Sequence, residues 1–228
     1  MNDKYLAFDI ETSKVIPENT NWKSQRPLGI ACAATLLADA NEVMVWQGAA
    51  DRLTQPEAAG LVAYLRDMVS EGYTILTWNG TGFDFDILAE ESGMLAECRE
   101  LAVEHVDMMY HVLCRLGFGV SLNSAAQGMG LPGKPEGMNG AKAPVLWAEG
   151  QRATVLDYVA QDVRTTLALA TACEAKAALR WITKSGKART MRLPSGWLTM
   201  VQAERLPQPN TAWMTEPWKR TDFTAWMG

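Results

Sequence analysis

Histidine and cysteine are scarce in this chain, two and four in 228 residues. Cys32, Cys98, Cys114 and Cys173 lie far apart with no CxxC pair, and only His105 and His111 are available to join them. That spacing excludes the usual zinc frameworks and leaves free, buried thiols as the expectation. Positive charge is short as well: 21 Lys and Arg stand against 26 Asp and Glu, a net charge of -5. A protein of that balance does not coat nucleic acid through bulk charge, although metal ions held at one site still receive a phosphate locally. Long apolar runs are missing too. The least polar stretch, Leu28 to Ala40, is too short to span a bilayer, and Met1 to Glu11 lacks the layout of a signal peptide. The expectation is a soluble, cytoplasmic protein with no membrane partner.

What is present is an ordinary globular composition, 48% apolar and 21% charged, without repeats or low-complexity segments. The length suits one sizeable core with an appendage, read as a domain over 1–180 and a C-terminal basic hairpin and Trp/Pro-rich arm over 181–228. "YLAFDI", "PLGIACAATLLA" and "EVMVWQG" read as three strands, the last two joined by a short turn and so antiparallel. Helical spacing at Leu61, Leu65 and Met68 followed by "YTILTW" makes a strand, helix, strand unit returning parallel to the first strand. A helix is expected from about Asp84 to Ser92, then a short strand or turn in "HVDMMYHVLCRLG" leading into another helix. Gly and Pro crowd Met129 to Gly140, which makes that loop a candidate gate. The longest helical pattern runs from Arg152 to Arg180, with two short strands following around Ser185-Gly186-Lys187. The arm that carries Trp213, Trp218 and Trp226 is expected to dock on the body of the protein; a protein partner or self-association is the alternative.

Within "YLAFDIETSK", Asp9 and Glu11 alternate on one strand, so both carboxylates project from the same face. Such a pair repels itself unless a cation or proton intervenes. A second acid, Asp84, follows a Gly-rich turn in "WNGTGFDFDIL", also beyond the carboxyl end of a strand, where open α/β sheets bind ligands. In "DYVAQDV", Tyr158 and Asp162 are four residues apart and share a helix face. Each motif alone has a plain structural reading: a solvated strand end, a helix cap, a half-buried tyrosine beside a surface acid. Their conjunction in this order carries the functional reading.

In that order, "FDIET", Asn79-x-x-x-Phe83-Asp84 and Tyr158-x-x-x-Asp162 resemble the three motifs of the DEDD 3'-5' exonucleases. The tyrosine resembles the DEDDy branch, and the likeness is greatest to the proofreading domain of family-B DNA polymerases and its stand-alone relatives. It covers Tyr5 to about Leu169 and leaves no length for a polymerase domain. The resemblance implies a ribonuclease H-like α/β fold, a central mixed sheet of three antiparallel strands then parallel strands, flanked by helices. It further implies two divalent ions, Mg²⁺ or Mn²⁺, held by Asp9, Glu11, Asp84 and Asp162, with Tyr158 orienting the attacking water. Asn79 would hold the terminal nucleotide, Phe83 would wedge against bases, and Thr12 belongs with them on the substrate side. The family often carries an acid near Asp107 that sits close to the site or the bound strand, which places Asp107 on the substrate side; its other reading is a helix N-cap.

From Ala175 to Ala203 acidic residues are absent, while Lys184, Lys187 and Arg189 occur among other basic residues with Trp181 and Trp197. Positive side chains interleaved with aromatics suit a single strand, so this stretch is the candidate gripping surface. The function expected is 3'-5' hydrolysis of single-stranded or frayed nucleic acid, DNA favoured over RNA, releasing nucleoside 5'-monophosphates. The competing readings are a non-catalytic nucleic-acid-binding module or accessory subunit on the same fold, an RNase H or integrase-like endonuclease, and a glycosidase built on the Asp9/Glu11 pair.

Overall fold

The computed structural model describes residues 4–133 and 140–228. Its five-stranded sheet has the order β3-β2-β1-β4-β5. Strand β1 (Tyr5–Thr12) lies at the centre; β2 (Ile30–Leu37) and β3 (Met44–Gln47) add to one side antiparallel. On the other side β4 (Thr74–Thr77) and β5 (Val106–Asp107) run parallel to β1. This is the α/β arrangement expected, three antiparallel strands followed by parallel ones.

Alternation along β1 sets the two layers. Leu6, Phe8 and Ile10 face a core built with Leu61, Val62 and Leu65 of α1 (Gln55–Ser70) and with Phe85, Ile87 and Leu88 of α2 (Asp84–Ser92). Helix α1 starts at a capping box, the Glu57 carboxylate accepting the Thr54 backbone N–H at 2.7 Å, with Pro56 in its first turn. Helix α3 (Leu95–Glu104) completes this layer. Residues of the opposite parity, Tyr5, Ala7, Asp9 and Glu11, face the long helix α7, introduced after its predecessors α4 (Met108–Leu116), α5 (Leu122–Met129) and α6 (Ala143–Ala148). Helix α7 (Arg152–Lys176) lies across β1 and β2. Its buried stripe, Val155, Tyr158, Val159, Asp162, Val163, Thr166, Leu169, Ala170 and Cys173, follows the 3.6-residue period. The small side chains Ala7, Ala31 and Ala34 under Val155, Val159 and Val163 let the helix approach the sheet closely.

The sequence pattern overshoots the end of α7. Ala177 adopts a left-handed conformation (φ 46°) and closes the helix, and the following residues enter the hairpin β6 (Ala178–Ile182) and β7 (Ala188–Arg192). The expected boundary at 180/181 falls inside β6, and Leu179, Trp181, Met191 and Leu193 of the hairpin share a core with Val106, Leu122 and Leu169. Two short helices, α8 (Met200–Glu204) and α9 (Thr221–Thr224), follow. All four cysteines are buried and free. Among the described residues no helix is long and apolar enough to cross a membrane. Met129 ends α5, and positions 134–139 of the candidate gate lie outside the described residues.

Candidate active site

At the carboxyl end of β1 the strand's parity does the positioning. Asp9 and Glu11 emerge on the face covered by α7, and one turn of α7 brings Tyr158 and Asp162 over them. Carboxylate oxygens of Asp9, Glu11 and Asp162 all lie within 4.8 Å of one another. Glu11 and Asp162 are buried and Asp9 is partly open to solvent. A β-bulge between Glu11 and Thr12 ends the regular pairing with β2 at this point, and Thr12 is itself buried, its backbone opposite Ile30.

Three carboxylates so close, in a half-buried setting, constitute a strongly negative field. The Tyr158 phenol registers it: burial, then the charges of Asp162, Glu11 and Asp9, push it well above its ordinary value. Tyr158 is therefore a proton-bearing hydroxyl at any physiological pH, a hydrogen-bond donor and not a base. Hard, anionic oxygen donors converging on one point fit a divalent cation such as Mg²⁺ or Mn²⁺.

Asp84, the fourth acid expected, is not part of that convergence. It opens α2 at 2% exposure, and its Oδ1 accepts the backbone N–H of Ile10 at 3.0 Å, which ties α2 to β1. Burial pushes its carboxyl up to about 7; the Ile10 hydrogen bond opposes this, and the charges of Asp107 and Asp162 add to it. Asp86, two residues on, is buried against Arg26, whose Nη2 reaches Asp86 Oδ1 at 2.8 Å while its Nε reaches Glu90 at 2.8 Å. This ion pair joins residues sixty positions apart and so leaves no local signal in the sequence.

Asp107 is where the two readings of that residue separate. It is the N-cap of α4, accepting the Tyr110 N–H at 2.9 Å, and its two oxygens also accept the N–H groups of Asn79 (2.9 Å) and Thr81 (2.8 Å). At 1% exposure, with three backbone donors, it anchors the turn after β4. Asp107→Asn places an N–H₂ where at least one acceptor is required, so it should lower unfolding stability by about 2 kcal/mol. Urea denaturation checks this; equal midpoints for the two proteins would contradict the anchoring role.

The anchored turn holds Asn79 at φ 80°, with its side-chain oxygen buried and taking no hydrogen bond in the protein. Phe83, at the N-cap of α2, packs edge-on against Trp22, ring centroids 5.2 Å apart. The basic hairpin sits elsewhere. Lys184, Lys187 and Arg189 are exposed on its turn and second strand, but the hairpin begins at the far end of α7, about 21 Å along the helix from Asp162. Trp181 and Trp197, expected among those cations as stacking platforms, are buried: Trp181 packs on Phe118 and Trp197 on His111. A large aromatic side chain in a hairpin that covers a core, as Trp181 is, is drawn inward, and Trp197 is buried in the connection from β7 to α8.

The Trp-rich arm docks on the body. Trp226 Nε1 donates to the Thr81 carbonyl at 2.7 Å, and Arg220 is buried with its guanidinium donating to the carbonyls of Cys114, Glu204, Leu206 and Pro207.

Comparison with known proteins agrees with this geometry at the level of fold. No curated protein matches the chain. Among solved structures it is similar to the family B DNA polymerase from the hyperthermophilic archaeon Pyrobaculum calidifontis, with a TM-score of 0.53 and 22% identity over 75% of this chain. The match takes in 24% of that polymerase, so the chain spans about a quarter of its length. The family model described as RNase_H superfamily matches residues 6–173, the stretch from β1 to the end of α7 that carries Asp9, Glu11, Asp84, Tyr158 and Asp162. The chain belongs to the RNase_H superfamily.

Proposed function

We propose that the protein is a metal-dependent 3'-5' exonuclease acting on single-stranded or frayed nucleic acid, DNA in preference to RNA, and releasing nucleoside 5'-monophosphates. One observation carries the reading: the convergence of Asp9, Glu11 and Asp162 within 4.8 Å at the carboxyl end of the central strand, under Tyr158. A glycosidase built on Asp9 and Glu11 has no use for the third acid or the tyrosine.

In this reading Asp9, Glu11 and Asp162 hold the cations, and Asp84 stands with them as the fourth acid of the DEDD pattern. Divalent ions, when bound, polarise the scissile phosphate and lower the pKa of a coordinated water. The chain's own groups do the rest. Tyr158, protonated and set beside Asp162, donates a hydrogen bond that fixes the direction of the incoming water. Asn79, held by Asp107 with an unsatisfied side-chain oxygen, receives a donor from the terminal nucleotide. Hydrolysis breaks the bond between phosphorus and the 3'-oxygen of the penultimate nucleotide; the water supplies the new P–O bond and its proton ends on the leaving 3'-oxygen.

The test is digestion of 5'-labelled single-stranded DNA and RNA with Mg²⁺, with Mn²⁺ and with chelator. The expected result is a ladder shortening from the 3' end, faster for DNA and absent with chelator. Internal cuts at early times would point instead to an endonuclease. No cleavage of either polymer by the folded protein would favour a binding module on the same fold.

A further inference from the structure

The C-terminal arm lies beyond residue 173, outside the stretch shared with the family, yet it returns to the motif turn. Together with the 3-10 turn Trp22–Gln25 and the turn after β4, it encloses a cleft of about 490 Å³. Trp22, Lys23, Asn79, Met109, Trp218 and Phe223 are among the residues that line it. This volume falls within the range that takes a small ligand.

The arm is built to hold its aromatic rings there. A Cβ on Gly82 would run into the Phe223 ring, and one on Gly119 into the Trp218 ring, so both rings lie flush on backbone. Trp218 stacks on Phe223 at 5.9 Å with 30° between planes. Lys23 Nζ donates to the Asp222 carbonyl at 2.8 Å and joins the 3-10 turn to the arm. Despite this support Trp218 remains 50% exposed, a large cost for an aromatic side chain that has a wall to pack on. Asn79 also lines the cleft, and its buried side-chain oxygen has no protein donor.

We infer that the arm completes the substrate site: the cleft takes a nucleobase near the 3' end of a single strand, stacked on Trp218 and hydrogen-bonded by Asn79. A stacking face tolerates every base, and an amide acceptor meets the exocyclic amino groups of adenine, cytosine and guanine. The strand would thus be gripped by the arm, which has the exposed aromatic, and not by the basic hairpin, whose tryptophan, Trp181, is buried. The identity of the ligand rests on the nuclease reading; the existence of the cleft does not.

The experiment is equilibrium binding of a ten-nucleotide single strand in chelator, followed by anisotropy of a 5' label and by quenching of intrinsic tryptophan fluorescence. Trp218→Ala should weaken binding about tenfold, the size of one lost base stack. Trp218→Phe should keep affinity within about threefold and still lose part of the quenching, a signature that a purely structural role would not produce. Trp213→Ala, a 71% exposed tryptophan outside the cleft, should leave both signals as in the intact protein. Unchanged affinity for Trp218→Ala, or full quenching in Trp218→Phe, overturns the inference. Chelator keeps the strand intact during the binding measurement, so an intact protein that binds through Trp218 there but hydrolyses nothing once Mg²⁺ or Mn²⁺ is supplied would overturn the nuclease reading alone. One that hydrolyses with binding indifferent to Trp218 would overturn this inference alone.

Discussion

Asp162→Asn should lower 3'-end hydrolysis by on the order of a thousandfold while the protein stays folded. The side chain keeps its shape, so α7 continues to cover β1, but one of three convergent anionic oxygens becomes a neutral amide. A hard divalent cation loses both a ligand and a charge, and the loss falls on the step where negative charge builds up on the phosphate. A second readout needs no catalysis. Saturating Mg²⁺ or Mn²⁺, at about a hundred times its dissociation constant, should stabilise the intact protein by about 2.7 kcal/mol. For Asp162→Asn most of that gain should vanish. Thermal denaturation with and without metal, run beside single-turnover cleavage, checks both. An Asp162→Asn enzyme that cleaves within tenfold of the intact rate would remove this residue from the site.

The second large effect is on stability against acid and comes from His111. This side chain is 2% exposed; its Nδ1 accepts the Leu198 backbone N–H at 3.3 Å, and its ring lies edge-on to Trp197. Burial, with Arg115 nearby, lowers its pKa to about 4. In the unfolded chain the same group titrates near 6.5, so between pH 6.5 and 4 the unfolded state binds the proton first. Stability contributed by neutral His111 is therefore present above pH 6.5 and is lost as pH falls toward 4, by roughly 3 kcal/mol. His105, buried between Ala102 and Thr77, is lowered in the same direction. Asp84 works oppositely across this window: its folded-state pKa is raised, so its contribution is present at low pH and lost on the way up to about 7. The total pH curve hides His111 for that reason. The difference between intact protein and His111→Gln, from urea denaturation at pH 7, 6, 5 and 4, isolates it, since Asp84 is common to both. A difference that does not change with pH would show that His111 titrates normally in the folded protein.

How far the site was legible in the sequence depends on how local its determinants are. Asp9 and Glu11 follow from strand parity, and Tyr158 and Asp162 from helix period; both rules act within one element, and the two faces they predicted are the two that meet. Asp84 was placed correctly at the start of α2, but the Ile10 N–H that holds it comes from 74 positions away, so that hydrogen bond was not visible. Asp107 was read between an acid close to the site or bound strand and a helix cap; the cap is present, and the other two backbone donors come from the turn after β4, too far along the chain to be read locally. Composition misled over the hairpin. Trp181 and Trp197 sit among cations in the chain but are buried in space: the ribbon packed on α5 buries the face that carries Trp181, and Trp197, between β7 and α8, packs on His111. Short helices such as α3, α5, α6 and α8 went unread, as elements of five to ten residues carry few turns over which a period can repeat.

The most direct test of the central claim, that Asp9, Glu11 and Asp162 form a cation site, is calorimetric titration of Mn²⁺ into the intact protein and into Asp9→Asn and Asp162→Asn at pH 7.5. Two Mn²⁺ per chain in the intact protein, with binding weakened at least about tenfold in each variant, is the result expected. Equal binding by all three proteins, or none by any of them up to millimolar Mn²⁺, would contradict it.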